Sequence, residues 1–233
     1  SRTVNEVAQI ANLRHAPRAM NQFSYKSFYR RRLPHIQPEG ATFFVTFRLA
    51  GSLPVEMLEK LRDEQEQTSR LLTQIVDANK CAEQANLASR RWFGKWDEFL
   101  DKASTGPRHL LNPQIADMLS ESIRYRDGKV YELEAFCIMP NHGHLVFKPL
   151  ESADGKFHSL STIMHSLKRH TARQANLLLG QEGMFWQHEN YDHFVRDDAE
   201  LGRIIRYVLH NPVKAGLTED WKNWKWSFSK YDM

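Results

Sequence analysis

The chain has 233 residues, 41% of them hydrophobic and 26% charged, enough apolar material for a sizeable core and too much for wholesale disorder. Lys and Arg number 32 against 28 Asp and Glu, and a net charge of +4 is too mild to choose or exclude a polyanionic partner. Two cysteines exclude a disulfide framework, and no apolar run approaches the ~20 residues that span a bilayer, so composition points to a soluble cytoplasmic protein without a membrane partner.

The charge is unevenly placed. Residues 1–48 carry eight basic and two acidic side chains, a surplus of six, with Arg30, Arg31 and Arg32 the densest part. Such an arm either neutralises nucleic-acid phosphates or is a solvated terminus. Its composition marks residues 1–33 off as a basic N-terminal arm before a single domain over 34–233.

In chain order, Ala41 to Phe47 is aromatic and β-branched and predicts a buried strand. Ser52 and Pro54 read as a helix start, and Leu58, Leu61, Leu72 and Ile75 carry one long polar helix to about Arg91. Trp92, Trp96, Phe99 and Leu100 keep helical spacing in a short following element, which Gly106-Pro107 breaks. Pro113 opens a further helix through Ile123, closed by Asp127-Gly128, so a helical elaboration fills about 54–126. From Val130 the period becomes two: Tyr131, Leu133, Ala135 and Cys137 alternate with Glu132, Glu134 and Phe136, as in a half-exposed strand. Met139-Pro140-Asn141 then turns the chain into a paired strand from His142 to Lys148.

A helix over about 160–178 follows, ending near Gly180. Leu160, Ile163, Met164, Leu167 and Leu178 mark its apolar side, while His165, Arg169 and Arg173 recur every fourth residue on another. Residues 155–180 hold Lys156, Lys168, Arg169 and Arg173 and no acid, a single-signed pattern that favours phosphate contact over an ordinary solvated face. His193 to Val195 reads as a short strand. Asp197 or Asp198 caps a last helix through Leu201, Ile204, Ile205 and Val208, stopped by Pro212. The order predicts an α+β, ferredoxin-like β-α-β-β-α-β core with an antiparallel sheet, a long helical insertion after the first strand and a C-terminal helix.

Two constellations carry chemistry. His142 and His144 sit two apart on a strand, so both imidazoles face one side and could share a divalent cation, although a surface pair is the commoner meaning of that spacing. Tyr207 and Asn211 sit four apart on the last helix and therefore share a face. A free phenol titrates near ~10 and needs assistance as a nucleophile.

Met139-Pro-Asn-His-Gly-His-Leu-Val-Phe147, Phe185-Trp-Gln187, Tyr191 to Asp197 and Tyr207-Val-Leu-His-Asn-Pro-Val-Lys-Ala-Gly-Leu217, in that order, resemble the REP-associated tyrosine transposases, of the single-tyrosine HUH (IS200-like) family. The opening strand, Gly40 to Gly51, is similar as well, and the resemblance runs from about residue 34 to Phe228. It implies a prokaryotic, nucleoid-associated enzyme that cuts and rejoins single-stranded or hairpin DNA with Mg²⁺ or Mn²⁺, through a covalent 5′-phosphotyrosine. His142 and His144 would hold the metal with Asn211 as third ligand, and Tyr207 would be the catalytic nucleophile. DNA contacts are expected from Arg30, Arg31, Arg32, Lys168, Arg169, Arg173, Arg196 and Lys214, with Trp186 and Tyr191 offering stacking surfaces for an unpaired base, core packing being the other role open to Trp186 and the one expected of Trp224 and Trp226. Monomer and homodimer are both compatible with this pattern.

Between the histidines the family carries a bulky apolar residue, whereas this chain has Gly143, which loosens a strand and removes a packing contact. That departure leaves a second reading, a repeat-DNA-binding relative without productive cleavage; a third and weaker one, a metallo-phosphoesterase acting on a small nucleotide, is opposed by the positive helix and the basic arm.

Overall fold

A computed structural model describes residues 39–102 and 106–232 of the chain. The arm over 1–33, with Arg30, Arg31 and Arg32, lies outside the described residues. Five strands, β1 (Phe43–Arg48), β2 (Tyr131–Ile138), β3 (His142–Pro149), β4 (Tyr191–Phe194) and β5 (Ser227–Ser229), form one antiparallel sheet in the order β4-β1-β3-β2-β5. The first four follow the ferredoxin-like order, and β5 extends the β2 edge. The helices are α1 (Val55–Leu72), α2 (Ala78–Lys102), α3 (Pro113–Arg126), α4 (Leu160–Leu179) and α5 (Asp198–Lys214).

Alternation along the strands sorts side chains between two covered faces. Phe43, Val45, Phe47, Leu145 and Phe147 point to one face, where Ile115, Leu119 and Ile123 of α3 and Ile163, Met164 and Leu167 of α4 close the larger core. Phe44, Val146, Ala135 and Cys137 point to the other, against Ile205, Val208 and Leu209 of α5 and the Trp92–Phe93 turn of α2. The sheet is therefore covered on both sides by helices, and each fully buried Phe contributes about 2–3 kcal/mol.

Several expectations change. The long helix of 52–91 is two helices, broken at residues 73–77, where the Asp77 side chain accepts the Lys80 amide at 3.1 Å and starts α2. The tryptophan stretch continues α2 and is not a separate element, and α3 belongs to the layer covering the sheet, so the elaboration proper is the α1–α2 pair. Strand β2 is not half-exposed: a register shift between Leu133 and Ala135 turns Phe136 and Ile138 into the larger core. Glu134 is buried and accepts the Tyr231 hydroxyl, and Lys230 bonds Glu132, so the C-terminal segment covers an edge that the alternation left to solvent. Leu178, placed on the apolar side of α4, is exposed.

Pro212 does not stop α5. It occupies the last turn, where only the bond to the Val208 carbonyl is forfeited, and the Ala215 and Leu217 amides close the end on Asn211 O at 3.0 Å and Pro212 O at 2.9 Å. Asp197 caps the other end by accepting the Glu200 amide at 2.7 Å. Strand β4 begins at Tyr191, two residues before the expected start.

Candidate metal centre and nucleophile

Strand β3 sends His142 and His144 to the face covered by α5, and both are fully buried. Asn141 donates through Nδ2 to Leu100 O at 3.0 Å, which orients its amide so that Oδ1 meets His142 Nδ1 at 2.7 Å. His142 Nδ1 therefore carries the proton, and its Nε2 presents a lone pair toward His144 Nε2, 3.1 Å away. His144 is held by Thr46 Oγ1 on Nδ1 at 2.9 Å, across the β1–β3 ladder, and Asn211 Nδ2 donates to its Nε2 at 2.8 Å. Burial drives both imidazoles strongly toward the neutral form, lowering each pKa to about 3, with His144 and Lys214 adding to this at His142 and Lys214 at His144. Two neutral imidazoles thus aim lone pairs at each other, an arrangement that a shared cation relieves.

The third member comes from α2. Asp97 is buried, and its Oδ1 has no hydrogen-bond partner although it lies 3.4 Å from His144 Nε2. One ligand atom each from Asp97, His142 and His144 falls within 4.8 Å of the others. Two imidazoles, an unpartnered carboxylate oxygen and the unpartnered Oδ1 of Asn211 make a mixed nitrogen–oxygen donor set, which fits a first-row divalent cation such as Mn²⁺.

Tyr207 stands next to this cluster. Its hydroxyl donates to Asp97 Oδ2, and Asn211 Nδ2 lies 3.4 Å from it. Phe44, Phe93 and His144 box its ring at centroid distances of 6.1, 5.7 and 5.8 Å. Burial raises the phenol well above its ordinary value, and the negative charge of Asp97 raises it further. The structure therefore gathers the expected Tyr207, Asn211, His142 and His144 at one point and adds Asp97, which sequence reasoning missed. Its signal was faint: Phe93, Asp97 and Asp101 fall four apart on the inner side of a helix whose tryptophans drew attention.

The expected DNA-contacting residues fall in different places. Lys214 Nζ lies 2.8 Å from Asp101 Oδ2 and 3.7 Å from Asp97 Oδ2, beside the site. The Arg196 guanidinium and amide are held by Glu200, which also meets His193 Nε2 at 3.2 Å. Lys168 Nζ donates to Gln187 O at 2.7 Å and His188 O at 3.3 Å. Arg169 and Arg173 are exposed on α4, which covers the opposite face of the sheet from Tyr207. Tyr191 is buried and stacks on Phe93 at 4.3 Å, and Trp186 is buried with its Nε1 on Thr171 Oγ1 at 2.9 Å, so neither is a surface platform. Trp224 and Trp226 pack against the cores as expected.

The wall beside His142 holds a further cation. Arg48, paired with His142 across the ladder, is buried, stacks on Trp96 at 4.9 Å and donates to Ser52 Oγ at 3.2 Å.

Residues 107–211, which span His142, His144, Tyr207 and Asn211 but not Asp97, match the family described as transposase IS200 like. A protein of Haemophilus influenzae described as a candidate REP-associated tyrosine transposase is 29% identical over 102 residues, 42% of this chain and 58% of that protein. The REP-associated tyrosine transposase of Escherichia coli is 23% identical over 118 residues, 51% of this chain and 66% of that protein. The chain thus spans about three fifths of the length of these curated relatives. A solved structure of a REP-associated tyrosine transposase bound to a REP hairpin aligns with a TM-score of 0.46 at 17% identity, covering 86% of this chain and 81% of that one. Residues 107–211 carry the IS200-like pattern, and part of the chain is similar in sequence to the REP-associated tyrosine transposases. Among the described residues, no helix is long and apolar enough to cross a membrane.

Proposed function

We propose that this chain is a HUH-type DNA strand transferase that cleaves and rejoins single-stranded or hairpin DNA through Tyr207. The observation that carries this reading is the convergence of Tyr207, Asn211 and Asp97 on the buried His142–His144 pair. A divalent cation, Mg²⁺ or Mn²⁺, would be held by both imidazoles and Asp97, with Asn211 contributing its amide oxygen, and would supply positive charge to a scissile phosphate oxygen. In the reaction, Tyr207 Oη bonds to phosphorus, the P–O3′ bond breaks, and the departing 3′ oxygen takes up a proton. Asp97 Oδ2, already accepting the phenol hydrogen, is the nearest base to receive that proton, and the aromatic box keeps bulk water from competing with the tyrosine. The phosphodiester energy is retained in the phosphotyrosine, so the reverse attack by a 3′-hydroxyl rejoins the strand.

The tyrosine and the histidines meet within one chain, which supports action in cis and does not require a dimer. Backbone phosphates are assigned to Lys214 near the site, to the exposed Arg169 and Arg173 and, secondarily, to Lys168, Arg196 and the Arg30–Arg32 arm. A binding-only reading draws support from the phenol, which burial and Asp97 hold in its protonated form.

Incubation of the chain with Mn²⁺ and single-stranded hairpin DNA should yield a denaturation-resistant protein–DNA adduct that Tyr207→Phe abolishes. An adduct that survives Tyr207→Phe overturns the assignment of the nucleophile. Tight, salt-sensitive hairpin binding with no adduct under any divalent ion favours the binding-only reading instead.

A further inference from the structure

The side chains that would meet a scissile phosphate are closed off from solvent. His142 and His144 are 0% exposed, Asn211 1% and Asp97 3%, so no strand reaches them in this arrangement. Three elements enclose them. Strand β3 carries the histidines, and α5 carries Tyr207 and Asn211 and is seated in the core by Ile205, Val208 and Leu209, so neither can withdraw without dismantling the site. The third element, α2, is attached differently.

Helices α1 and α2 form an excursion between Gly51 and Gly106, and these two glycines touch. A Cβ built at Gly106 would lie 2.7 Å from Gly51 O, and φ is +73° at Gly51 and +95° at Gly106, a region open to glycine and rarely entered by other residues. The helical pair thus leaves and rejoins the body at a single waist made of the residue type whose backbone turns most freely. It also holds itself together. Leu53, Leu61, Trp96 and Leu100 form a small core of their own, Trp92 Nε1 donates to Leu61 O at 3.2 Å, and Lys95 Nζ meets Glu64 at 2.7 Å. The pair grips the body through a seam laid over the site: Leu100 O accepts from Asn141, Asp97 accepts from Tyr207, Asp101 pairs with Lys214, and Phe93 stacks on Tyr191. That seam is poorly satisfied. Arg48 Nε, beneath Trp96, together with Asp97 Oδ1, Asp101 Oδ1 and Asn211 Oδ1, is buried without a hydrogen-bond partner, a cost that is relieved when α2 lifts and water enters.

We propose that the α1–α2 pair is a lid hinged at Gly51 and Gly106, which lifts to admit a single strand and closes again over it. This is a regulation of the site described above, and it rests on the strand-transfer reading for what enters. Because the lid carries Asp97, lifting it removes both a cation ligand and the base beside the phenol, and closing it restores them. Access and competence therefore alternate, and the site is armed only with the lid down. The lid precedes the matched segment of residues 107–211.

The test uses the whole chain carrying Cys81→Ser, which leaves the buried Cys137 as its one native thiol. Asp101 on α2 and Leu217 beyond α5 line one small cleft, so Asp101→Cys and Leu217→Cys can be joined by a reducible bis-maleimide that holds the lid shut. With hairpin DNA and Mn²⁺, the locked chain should form at least about tenfold less Tyr207 adduct than the same chain after reduction. In a separate sample, spin labels at the exposed positions Val76, at the tip of the pair, and Leu177, on α4, report the lid directly. Saturating single-stranded hairpin DNA in EDTA should add a longer distance to the one seen without DNA. An adduct that forms equally in the locked and reduced chains, or a label distance unchanged by DNA, overturns the lid. An adduct indifferent to the lock leaves the strand-transfer reading standing and removes only the lid. A lengthened distance in a chain that yields no adduct does the reverse.

Discussion

Gly143 separates the two histidines, and the structure gives its replacement a definite cost. A Cβ built at Gly143 would lie 2.7 Å from Phe47 Cζ and 3.0 Å from Cε1, where carbon atoms ordinarily approach to about 3.5–4.0 Å. Phe47 faces Gly143 directly across the β1–β3 ladder, so its ring fills the space that a side chain there would occupy. The ring cannot recede freely: it is 1% exposed, packs edge-on against Trp186 at 5.0 Å, and Trp186 is itself pinned by Thr171 and by Phe185 at 4.9 Å. Gly143→Ala should therefore destabilise the chain by about 2 kcal/mol as overpacking, or about 4–8 °C in Tm. Phe47→Leu removes the clashing Cζ at a cost of its own of about 1–2 kcal/mol, and the double variant should be less destabilised than the sum by about 1–2 kcal/mol. Urea unfolding followed by circular dichroism measures all three, with Mn²⁺ titration calorimetry reporting whether the imidazoles have moved. A Gly143→Ala variant within about 0.5 kcal/mol of wild type, or a strictly additive double variant, refutes the account.

Further outcomes follow from the buried charges. Because His142 and His144 have folded pKa values of about 3 against 6.5 unfolded, their contribution is present above 6.5 and is lost as pH falls toward 3. Asp101, raised to about 6, acts in the opposite sense between pH 6 and 4, so the metal-free protein should lose about 1 kcal/mol or more per pH unit from 6.5 downward in urea titrations; a flat profile contradicts the neutral pair. Saturating Mn²⁺ at about a hundredfold excess over Kd should add about 2.7 kcal/mol, or about 5–10 °C in Tm, and Asp97→Ala or His142→Ala should cancel the shift in thermal scans. Glu200→Gln should cost about 2 kcal/mol in the same scans, since it weakens the carboxylate that the Arg196 guanidinium, the Arg196 amide and His193 share.

Sequence patterns carried the elements whose signals are local. The β-α-β-β-α-β order, the paired histidines and the Tyr207–Asn211 face all follow from periods of two and of four, and the structure brings those four residues together. Where tertiary packing overrides the local signal, the pattern misled. The register shift in β2 reverses which residues are inward, and nothing in Leu133-Glu134-Ala135 marks it. Pro212 is a helix stop by propensity, yet the last turn tolerates it because its lost donor faces only the Val208 carbonyl. Asp97 was only faintly marked, because an acid on a polar helix reads as solvated, and its burial depends on where α2 docks. The packing contact expected to be missing at Gly143 is supplied from β1 by Phe47, a pairing that only the ladder register reveals.

The centre is stitched together from distant stretches of chain: Thr46 reaches His144 across 98 residues, Asp97 reaches Tyr207 across 110, and His144 reaches Asn211 across 67. With contacts of such sequence separation, the centre is complete only once the sheet has closed and both α2 and α5 have docked. On the strand-transfer reading proposed above, a partly folded or nascent copy owns every reactive side chain without the arrangement that would let it cut DNA. On that reading, assembly itself would act as the safety catch, with cutting competence withheld until the chain has folded.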